Sequence, residues 1–340
     1  MKNSVKQHAS ALTAVLACLA LALVLYHSLA GGTLLQSSPY NSYALQAENW
    51  LAGRNNIANG ENYTWLELAI YQGRYYQSFP PVPAVLMLPF VAAAGEWSAI
   101  PGNLIAMGLA LLCAGGVYAC CMRGGMQPVT CAFFTLFVSM GSNVFWMSTS
   151  DGVWFLAQVC ALGFAFWGLF FAQGGNAVQD AAASLCMALA VGCRPFYALL
   201  LACWLGWQFY QRRSLKRILP ALLPAVVMAA CMMAYNFARF GSVTEFGHNY
   251  LPEFVRAENG QFSLTYLVPN LLQLLRPVTL DAQGQLHFEI YNGFLFFAAN
   301  PLFLLAWYAD CCCACPGTRR KCRSVFHCHQ RGGLLRRCAC

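Results

Sequence analysis

The chain has 340 residues, of which 59% are hydrophobic and only 9% are charged, and its mean hydropathy is +0.51. An average soluble domain is about 25% charged and less than half apolar, so the composition excludes a soluble globular enzyme, a disordered chain and a nucleic-acid-coating protein. It predicts an all-α polytopic membrane protein, a bundle of transmembrane helices. The formal net charge of +8 is uneven, because the body up to Ala309 holds 13 basic and 11 acidic residues, a net of only +2.

Eight apolar stretches are candidate spans, because about 20 mostly apolar residues cross a bilayer. They are 10–30, 102–122, 128–147, 153–171, 181–192, 195–210, 218–237 and 294–308. The first also has the pattern of a signal peptide, but the many spans that follow favour a retained helix. Basic residues at Lys2, Lys6, Arg123 and 212–217 predict a cytoplasmic N-terminus and two long outside loops, 31–101 and 238–293. These loops hold 9 of the 11 acidic residues of the body.

The first outside loop, 31–101, is predicted to contain structure. Ser38-Pro39 has the pattern of a helix start. Apolar residues then recur at three- and four-residue steps as far as Leu51, which predicts an amphipathic helix at the membrane surface that ends at Gly53. The segment 64–73 predicts a second short helix, and the apolar run 83–90 is short enough to be juxtamembrane.

A Cys- and Arg-rich tail, 310–340, follows the last apolar run and holds 8 of the 18 cysteines. One interpretation is a zinc site, whose candidate ligands are Cys312, Cys315, Cys322, His327, Cys328 and His329. The other is an out-of-frame or disordered segment, which we favour because the spacing matches no regular zinc-ligand pattern. It implies that residues 1–309 form one transmembrane domain and that the natural protein continues with further spans.

Several motifs of the loops carry a family resemblance. The first loop contains Ala-Gly-Arg at 52–54, Leu-Glu-Leu-Ala at 66–69, Gly-Arg-Tyr-Tyr at 73–76, Phe-Pro-Pro at 79–81 and Pro-Ala-Val-Leu-Met-Leu-Pro at 83–89. Together they resemble the first periplasmic loop of bacterial multi-spanning glycosyltransferases of the GT-C superfamily, which includes protein O-mannosyltransferases and lipid A aminoarabinose transferases. Arg194-Pro195 and the segment 235–247 are similar to other parts of these proteins, so the resemblance covers residues 40 to about 250.

The resemblance implies an enzyme of the bacterial cytoplasmic (inner) membrane. Such an enzyme moves a sugar from a polyprenyl-phosphate carrier to an acceptor on the outer face. Its partners are the lipid-linked donor, membrane lipids and an acceptor that is a glycan, a lipid or a protein, and nucleic acid is not among them. No cofactor is implied, and a divalent metal is neither indicated nor excluded. The chemistry needs a carboxylate base for the acceptor hydroxyl and a cation for the departing phosphate.

Two carboxylates are candidates for the catalytic base. Glu67 stands in the Leu-Glu-Leu-Ala motif, but Thr64-x-x-Glu67 also has the pattern of a helix capping box. Glu48 is the second candidate, and a solvated helix face explains it equally well. The best-known members of the superfamily carry an acidic residue at the start of the first outside helix, where this chain has Asn41, which cannot act as a base.

Four residues are candidates for binding the phosphate or the sugar: Arg74, Tyr75, Arg194 and Arg239. Arg74, Tyr75 and Arg239 are also explained as anchors at the membrane interface. Arg194 stands inside apolar sequence, where a charge is usually paired or functional. Asp151 is expected to cap the helix that begins at 153, to pair with Arg194 or to contact substrate.

Two other functions remain open at this stage. One is a transporter or flippase of a lipid-linked substrate, which places its polar groups near mid-membrane and often has repeated halves. The acidic residues gather outside the spans and no internal repeat is visible, which favours the enzyme. The other is an inactive, truncated member of the superfamily. The sequence contains no phosphate-binding Gly-rich loop and no His-Glu-x-x-His motif.

Overall fold

The computed structural model describes residues 2–256, 258–259 and 263–287. It is 69% helix and 4% strand, so the predicted helical class is right for the bulk of the chain. Four helices are long and apolar enough to cross a membrane: Ser4–Leu29, Gly102–Arg123, Val153–Ala172 and Ile218–Phe240. Within the described residues the structure therefore supports a helical protein with four candidate membrane spans, where the sequence predicted seven. The predicted span 294–308 and the tail 310–340 lie outside the described residues.

The chain divides into two compact units, Met1–Ala257 and Glu258–Cys340. The helices of the first unit are α1 (Lys2–Leu29), α2 (Ser42–Leu51), α3 (Val82–Ala94), α4 (Gly102–Arg123), α5 (Pro128–Met140), α6 (Val144–Met147), α7 (Val153–Ala172), α8 (Ala177–Val191), α9 (Ala198–Arg212), α10 (Leu215–Phe240) and α11 (Pro252–Val255). Two strands, β1 (Leu68–Tyr71) and β2 (Arg74–Gln77), lie between α2 and α3. The second unit contains α12 (Leu267–Leu274) and a short hairpin of β3 (Thr279–Leu280) and β4 (Leu286–His287).

Three of the predicted spans form helices of 15 residues or fewer, whereas about 20 residues are needed to cross a bilayer. The stretch 128–147 breaks after Met140 at Gly141, which leaves the 13-residue α5 and the one-turn α6. α8 and α9 have 15 residues each, and a short 3-10 turn, Pro195–Tyr197, separates them. A proline cannot continue the hydrogen-bond ladder of a preceding helix, so Arg194-Pro195 ends one helix and starts the next.

Small residues allow the central helices of the first unit to pack closely. α4 packs against both α5 and α7, and α7 packs against α8. Ala106, Ala110 and Ala114 form a buried stripe on α4, and Ala157, Ala161 and Ala165 form another on α7. A four-residue spacing places each set on one helix face, and small side chains let helix backbones approach in a bundle.

The helix bundle of the first unit has two ends. Basic residues lie at one end, which we call the basic end, and long connecting segments lie at the other. At the basic end the Arg123 guanidinium lies 4.9 Å from the centroid of the Phe170 ring, and Arg212 forms an ion pair with Asp180. The structure thus brings together basic residues that the sequence predicted to share one side. We call the opposite end the loop end, because segments 30–101 and 241–256 belong to it.

A β-hairpin stands where the sequence predicted a second short helix, and the prediction for 64–73 is wrong. β1 and β2 pair antiparallel with Leu68 opposite Gln77. They turn at Gln72-Gly73, whose φ angles of 50° and 71° are both positive, the geometry of the tight turns that match the twist of paired strands. Because Thr64 lies in a turn and not at a helix start, the capping box that would have explained Glu67 does not form.

α2 also differs from its prediction. The side chain of Asn41 caps it by accepting a hydrogen bond from the Ala44 amide (2.9 Å), so the helix starts after the expected Ser38-Pro39. Polar Gln46 and Asn49 are buried along with the apolar residues. α2 is therefore enclosed within the loop end, whereas the sequence predicted a surface helix with an exposed polar face.

Candidate functional site

The loop end brings together a carboxylate and a guanidinium through one tryptophan. Glu67 lies just before β1 and is half-buried. Its Oε2 accepts a hydrogen bond from the indole Nε1 of Trp154 at the start of α7 (3.2 Å). The backbone carbonyl of Trp154 accepts a hydrogen bond from Nη2 of Arg194 (2.8 Å). Glu67 and Arg194 were both predicted site residues, and the structure places them on the two sides of Trp154.

The environment of Glu67 changes its acid–base behaviour. Burial raises the pKa of Glu67 above the usual 4.5, and this is the largest effect. The Trp154 hydrogen bond and the positive charge of Arg194 lower that pKa, whereas the nearby Glu253 carboxylate of α11 raises it. A carboxylate with a raised pKa is a stronger proton acceptor than an ordinary exposed glutamate.

Arg194 has a donor group that lacks a partner. Its guanidinium lies 5.7 Å from the centroid of the Phe79 ring, and its Nε is buried without a hydrogen-bond partner. Within the residues that the structure describes, Arg194 forms no ion pair. Removing a cation from water is costly unless an anion or a set of acceptors replaces the water. The charge of Arg194 is therefore not compensated by an ion pair in the described part of the chain.

Arg239, predicted to bind phosphate, instead connects α10 to the hairpin. Its Nη1 donates to the backbone carbonyl of Gln77 (2.6 Å), and its Nη2 donates to Oδ1 of Asn236 (3.1 Å). The guanidinium also lies 3.9 Å from the centroid of the Tyr235 ring and 4.6 Å from that of Phe240. Because both terminal nitrogens already bond to protein, this arrangement indicates a structural clamp.

Three other predicted site residues lie apart from Glu67 and Arg194. Glu48 accepts a hydrogen bond from the backbone amide of Trp97 (3.4 Å), a contact with a different element. Arg74 is exposed beside the hairpin turn, whereas Glu67 precedes the open end of the hairpin. The Tyr75 ring packs against a small apolar core that includes Ile57. The structure therefore does not place Glu48, Arg74 or Tyr75 beside Glu67 and Arg194, and their predicted roles in catalysis and in phosphate or sugar binding stay predictions.

Asp151 has a structural role that differs from the three expected ones. Its carboxylate is fully buried and accepts hydrogen bonds from Ser37 Oγ (2.5 Å), the Ser38 amide (2.7 Å) and Asn41 Nδ2 (2.6 Å). Burial raises the pKa of Asp151, and these three donors oppose the effect. The N-cap position of α7 is Gly152. Asp151 therefore ties the chain that follows α1 to the start of α7.

Aromatic rings and a histidine lie beside Arg194. The imidazole of His248 packs edge-on against Phe79 at 6.1 Å and also contacts the rings of Phe246 and Phe254. Burial lowers the pKa of His248, and Glu253 raises it. Among the described residues no group of three or more His, Cys, Asp and Glu side chains is placed to hold a metal ion. The sequence analysis missed Trp154, which no pattern distinguishes from the other aromatic residues of its apolar run.

Comparisons with family models, with curated proteins and with solved structures find no match to this chain. The function must therefore be argued from the chemistry of the site itself.

Proposed function

We propose that this protein is a membrane glycosyltransferase that moves a sugar from a polyprenyl-phosphate donor to an acceptor hydroxyl at the loop end. In this proposal Glu67 is the catalytic base and Arg194 binds the phosphate. The observation that carries the proposal is the pair of contacts at Trp154, which hold a carboxylate of raised pKa close to an arginine that forms no ion pair within the described residues.

The proposed reaction is a single displacement at the anomeric carbon. The carboxylate of Glu67 takes the proton of the acceptor hydroxyl while the acceptor oxygen forms a bond to that carbon. The bond between the anomeric carbon and the phosphate oxygen breaks, and its electron pair leaves with the lipid phosphate. Arg194 stabilises the negative charge that grows on this phosphate, because a preorganised cation needs no rearrangement at the moment of reaction.

The surface beside Arg194 supports a lipid carrier. Phe196 and Leu199, which follow Arg194 in the chain, are 92% and 72% exposed. Large exposed apolar side chains next to a polar site mark a surface that contacts lipid or an apolar ligand. An isoprenoid chain along these residues would present its phosphate to Arg194.

The experiment measures release of polyprenyl phosphate from a panel of donors that carry a hexose, a pentose or an aminopentose. The purified full-length protein is incubated with each donor in detergent together with a membrane extract that supplies acceptors. We expect Glu67→Gln to lower the rate by about 100-fold or more, the usual contribution of a positioned base. Glu61→Gln, which changes an exposed glutamate of the same loop, is the matched control and should keep the wild-type rate.

Two outcomes contradict the proposal. If Glu67→Gln keeps the wild-type rate, Glu67 is not the base. If the reconstituted protein moves the intact donor across vesicle membranes without releasing polyprenyl phosphate, the protein is a flippase.

A further inference from the structure

Besides Arg194 and Tyr43, four polar side chains of the loop end carry buried atoms that have no hydrogen-bond partner among the described residues. The atoms are Nε2 and Oε1 of Gln46, Oε1 of Gln77, the hydroxyl of Tyr235 and Nε of Arg239. We call these four residues the orphan cluster. Buried polar atoms in proteins are almost always hydrogen-bonded, so each exception needs an explanation such as water or a ligand. Gln46 is the clearest case, because its side chain is 0% exposed and both polar atoms of its amide lack a partner.

Contacts of the residues one turn before and one turn after Gln46 connect this side of α2 to Gln77 and Tyr235. Gln46 lies one helical turn after Ser42 and one turn before Trp50, so the three share one side of α2. Ser42 Oγ accepts a hydrogen bond from Nε2 of Gln77 (2.9 Å). The Trp50 ring contacts the Tyr235 ring, with centroids 5.7 Å apart. Gln46 therefore lies between Gln77 and Tyr235.

Arg239 closes the cluster on the side of α10. Its guanidinium covers the Tyr235 ring at 3.9 Å, and its Nη1 holds the backbone of Gln77 at 2.6 Å. Nη1 and Nη2 of Arg239 therefore both bond to protein atoms. The third side-chain nitrogen, Nε, has no hydrogen-bond partner among the described residues. The unpartnered atoms of α2, β2 and α10 therefore belong to one region of the loop end.

Tyr43 connects the orphan cluster to Arg194. Its ring lies 6.4 Å from that of Phe79, over which the Arg194 guanidinium lies, and its hydroxyl is also buried without a partner. Arg194 and Tyr235 are both close enough to influence the pKa of Tyr43. Tyr43 therefore lies between Arg194 and the orphan cluster.

The unpartnered atoms specify the chemistry of this ligand. Arg239 Nε and one end of the Gln46 amide are donors, and the other end of that amide is an acceptor. Rotating the Gln46 amide by 180° exchanges its oxygen and its nitrogen. In either orientation Gln46 offers one donor group and one acceptor group. Phosphate oxygens only accept hydrogen bonds from these groups, so a phosphate cannot satisfy the cluster. Hydroxyl groups both donate and accept, and a sugar carries several of them.

We propose that the orphan cluster binds the sugar of the lipid-linked donor through its hydroxyl groups, with Gln46 as the central contact. This inference rests on the proposed function, which places the phosphate of the same donor at Arg194. It adds the subsite that recognises the transferred group.

The test compares the affinity of full-length protein in lipid nanodiscs for bare polyprenyl phosphate and for the same lipid carrying a hexose, an N-acetylhexosamine, a pentose or an aminopentose. We expect the wild type to bind at least one glycosylated lipid about 10-fold more tightly than the bare lipid, from two or more added hydrogen bonds. Gln46→Met should abolish this preference and leave the affinity for bare polyprenyl phosphate within about twofold of wild type. Gln36→Met, at an exposed glutamine, is the control and should keep the preference.

A stability measurement separates a ligand site from a structural water site. Unsatisfied buried atoms destabilise the unliganded protein, so we expect Gln46→Met to keep or raise the melting temperature. Gln208→Met should lower it, because Gln208 is buried and bonds to Asp180 (3.3 Å). A loss of stability in Gln46→Met as large as that in Gln208→Met would mean that waters satisfy the cluster, and the inference would be overturned.

The binding data distinguish failure of the inference from failure of the proposed function. If bare polyprenyl phosphate binds but no glycosylated lipid binds more tightly, or if Gln46→Met keeps the preference, the sugar subsite is wrong and the phosphate site stands. If neither bare nor glycosylated lipid binds, both proposals are refuted.

Discussion

The clamp formed by Arg239 gives the sharpest test of how the loop end is assembled. In Arg239→Ala, the hairpin loses its hydrogen bond from Nη1 to the Gln77 carbonyl, and α10 loses the bond to Asn236 and the ring contacts of Tyr235 and Phe240. Because Arg239 is 5% exposed, water does not replace these contacts in the native state. The hairpin should therefore open more often while the long apolar helices stay folded.

The expected magnitude follows from the contacts that are lost. A hydrogen bond to a charged group contributes about 1.5–3 kcal/mol, and a desolvated cation–π contact contributes about 1–2 kcal/mol. These contributions share one side chain and do not add, so we expect the opening free energy of the hairpin to fall by about 3 kcal/mol. Each 1.4 kcal/mol is tenfold in an equilibrium constant, so the β1 and β2 amides should exchange roughly 100-fold faster.

Hydrogen exchange with mass spectrometry, on peptides that cover 66–80, measures this change. Arg239→Lys keeps the charge but cannot bond both acceptors at once, so its effect should be smaller. Arg213→Ala is the matched control, because Arg213 is an exposed arginine that stacks on Tyr210 at 5.7 Å near the basic end. If exchange in the hairpin of a folded Arg239→Ala protein stays within about threefold of wild type, Arg239 does not hold the hairpin.

Two further predictions concern a titration and a backbone contact. Because burial and Glu253 raise the pKa of Glu67, the base form is lost on acidification at a higher pH than for an exposed glutamate. The acid limb of kcat/KM should move to lower pH in Glu253→Gln, whereas an unmoved limb would exclude Glu67 as the titrating group. A Cβ added at Gly102 would collide with the carboxyl of Asp151, whereas one at Gly108 would meet no atom within 4 Å. Gly102→Ala should therefore cost about 1–3 kcal/mol of stability and Gly108→Ala almost nothing, as thermal unfolding in detergent can measure.

The long helices were predictable because apolarity and length alone specify them. The predicted stretches 102–122 and 153–171 end within one residue of α4 (Gly102–Arg123) and α7 (Val153–Ala172). The hairpin was not predicted, because the segment 64–73 was interpreted as a second short helix that ends at Gly73. The stronger signal was Gln72-Gly73, where two consecutive positive φ angles require a flexible turn residue.

The candidate site was predictable only residue by residue. Glu67 and Arg194 were recognised from their motif and from an unusual charge in apolar sequence, but the contact that joins them belongs to Trp154. Hydrogen bonds between residues 87 and 40 positions apart leave no periodicity in a single sequence. Burial of the polar side of α2 was equally invisible, because the sequence pattern of a buried polar helix matches that of a surface helix.

The two arginines show why the fold is needed to assign a phosphate site. Both follow or end an apolar stretch, and sequence alone gave them the same role. The buried guanidinium of Arg239 contacts a backbone carbonyl, a side-chain amide oxygen and two aromatic rings. These contacts take the place of hydration and compensate its charge within the protein. Arg194 has one carbonyl and one ring, whereas Nε has no acceptor among the described residues in either arginine. Arg194 therefore has fewer protein acceptors than Arg239, and this is why we propose Arg194 for the phosphate, with Glu67 as the base and the proposed sugar-binding cluster on the far side of Tyr43. A donor that satisfies both must carry its phosphate and its sugar in that order along the loop end.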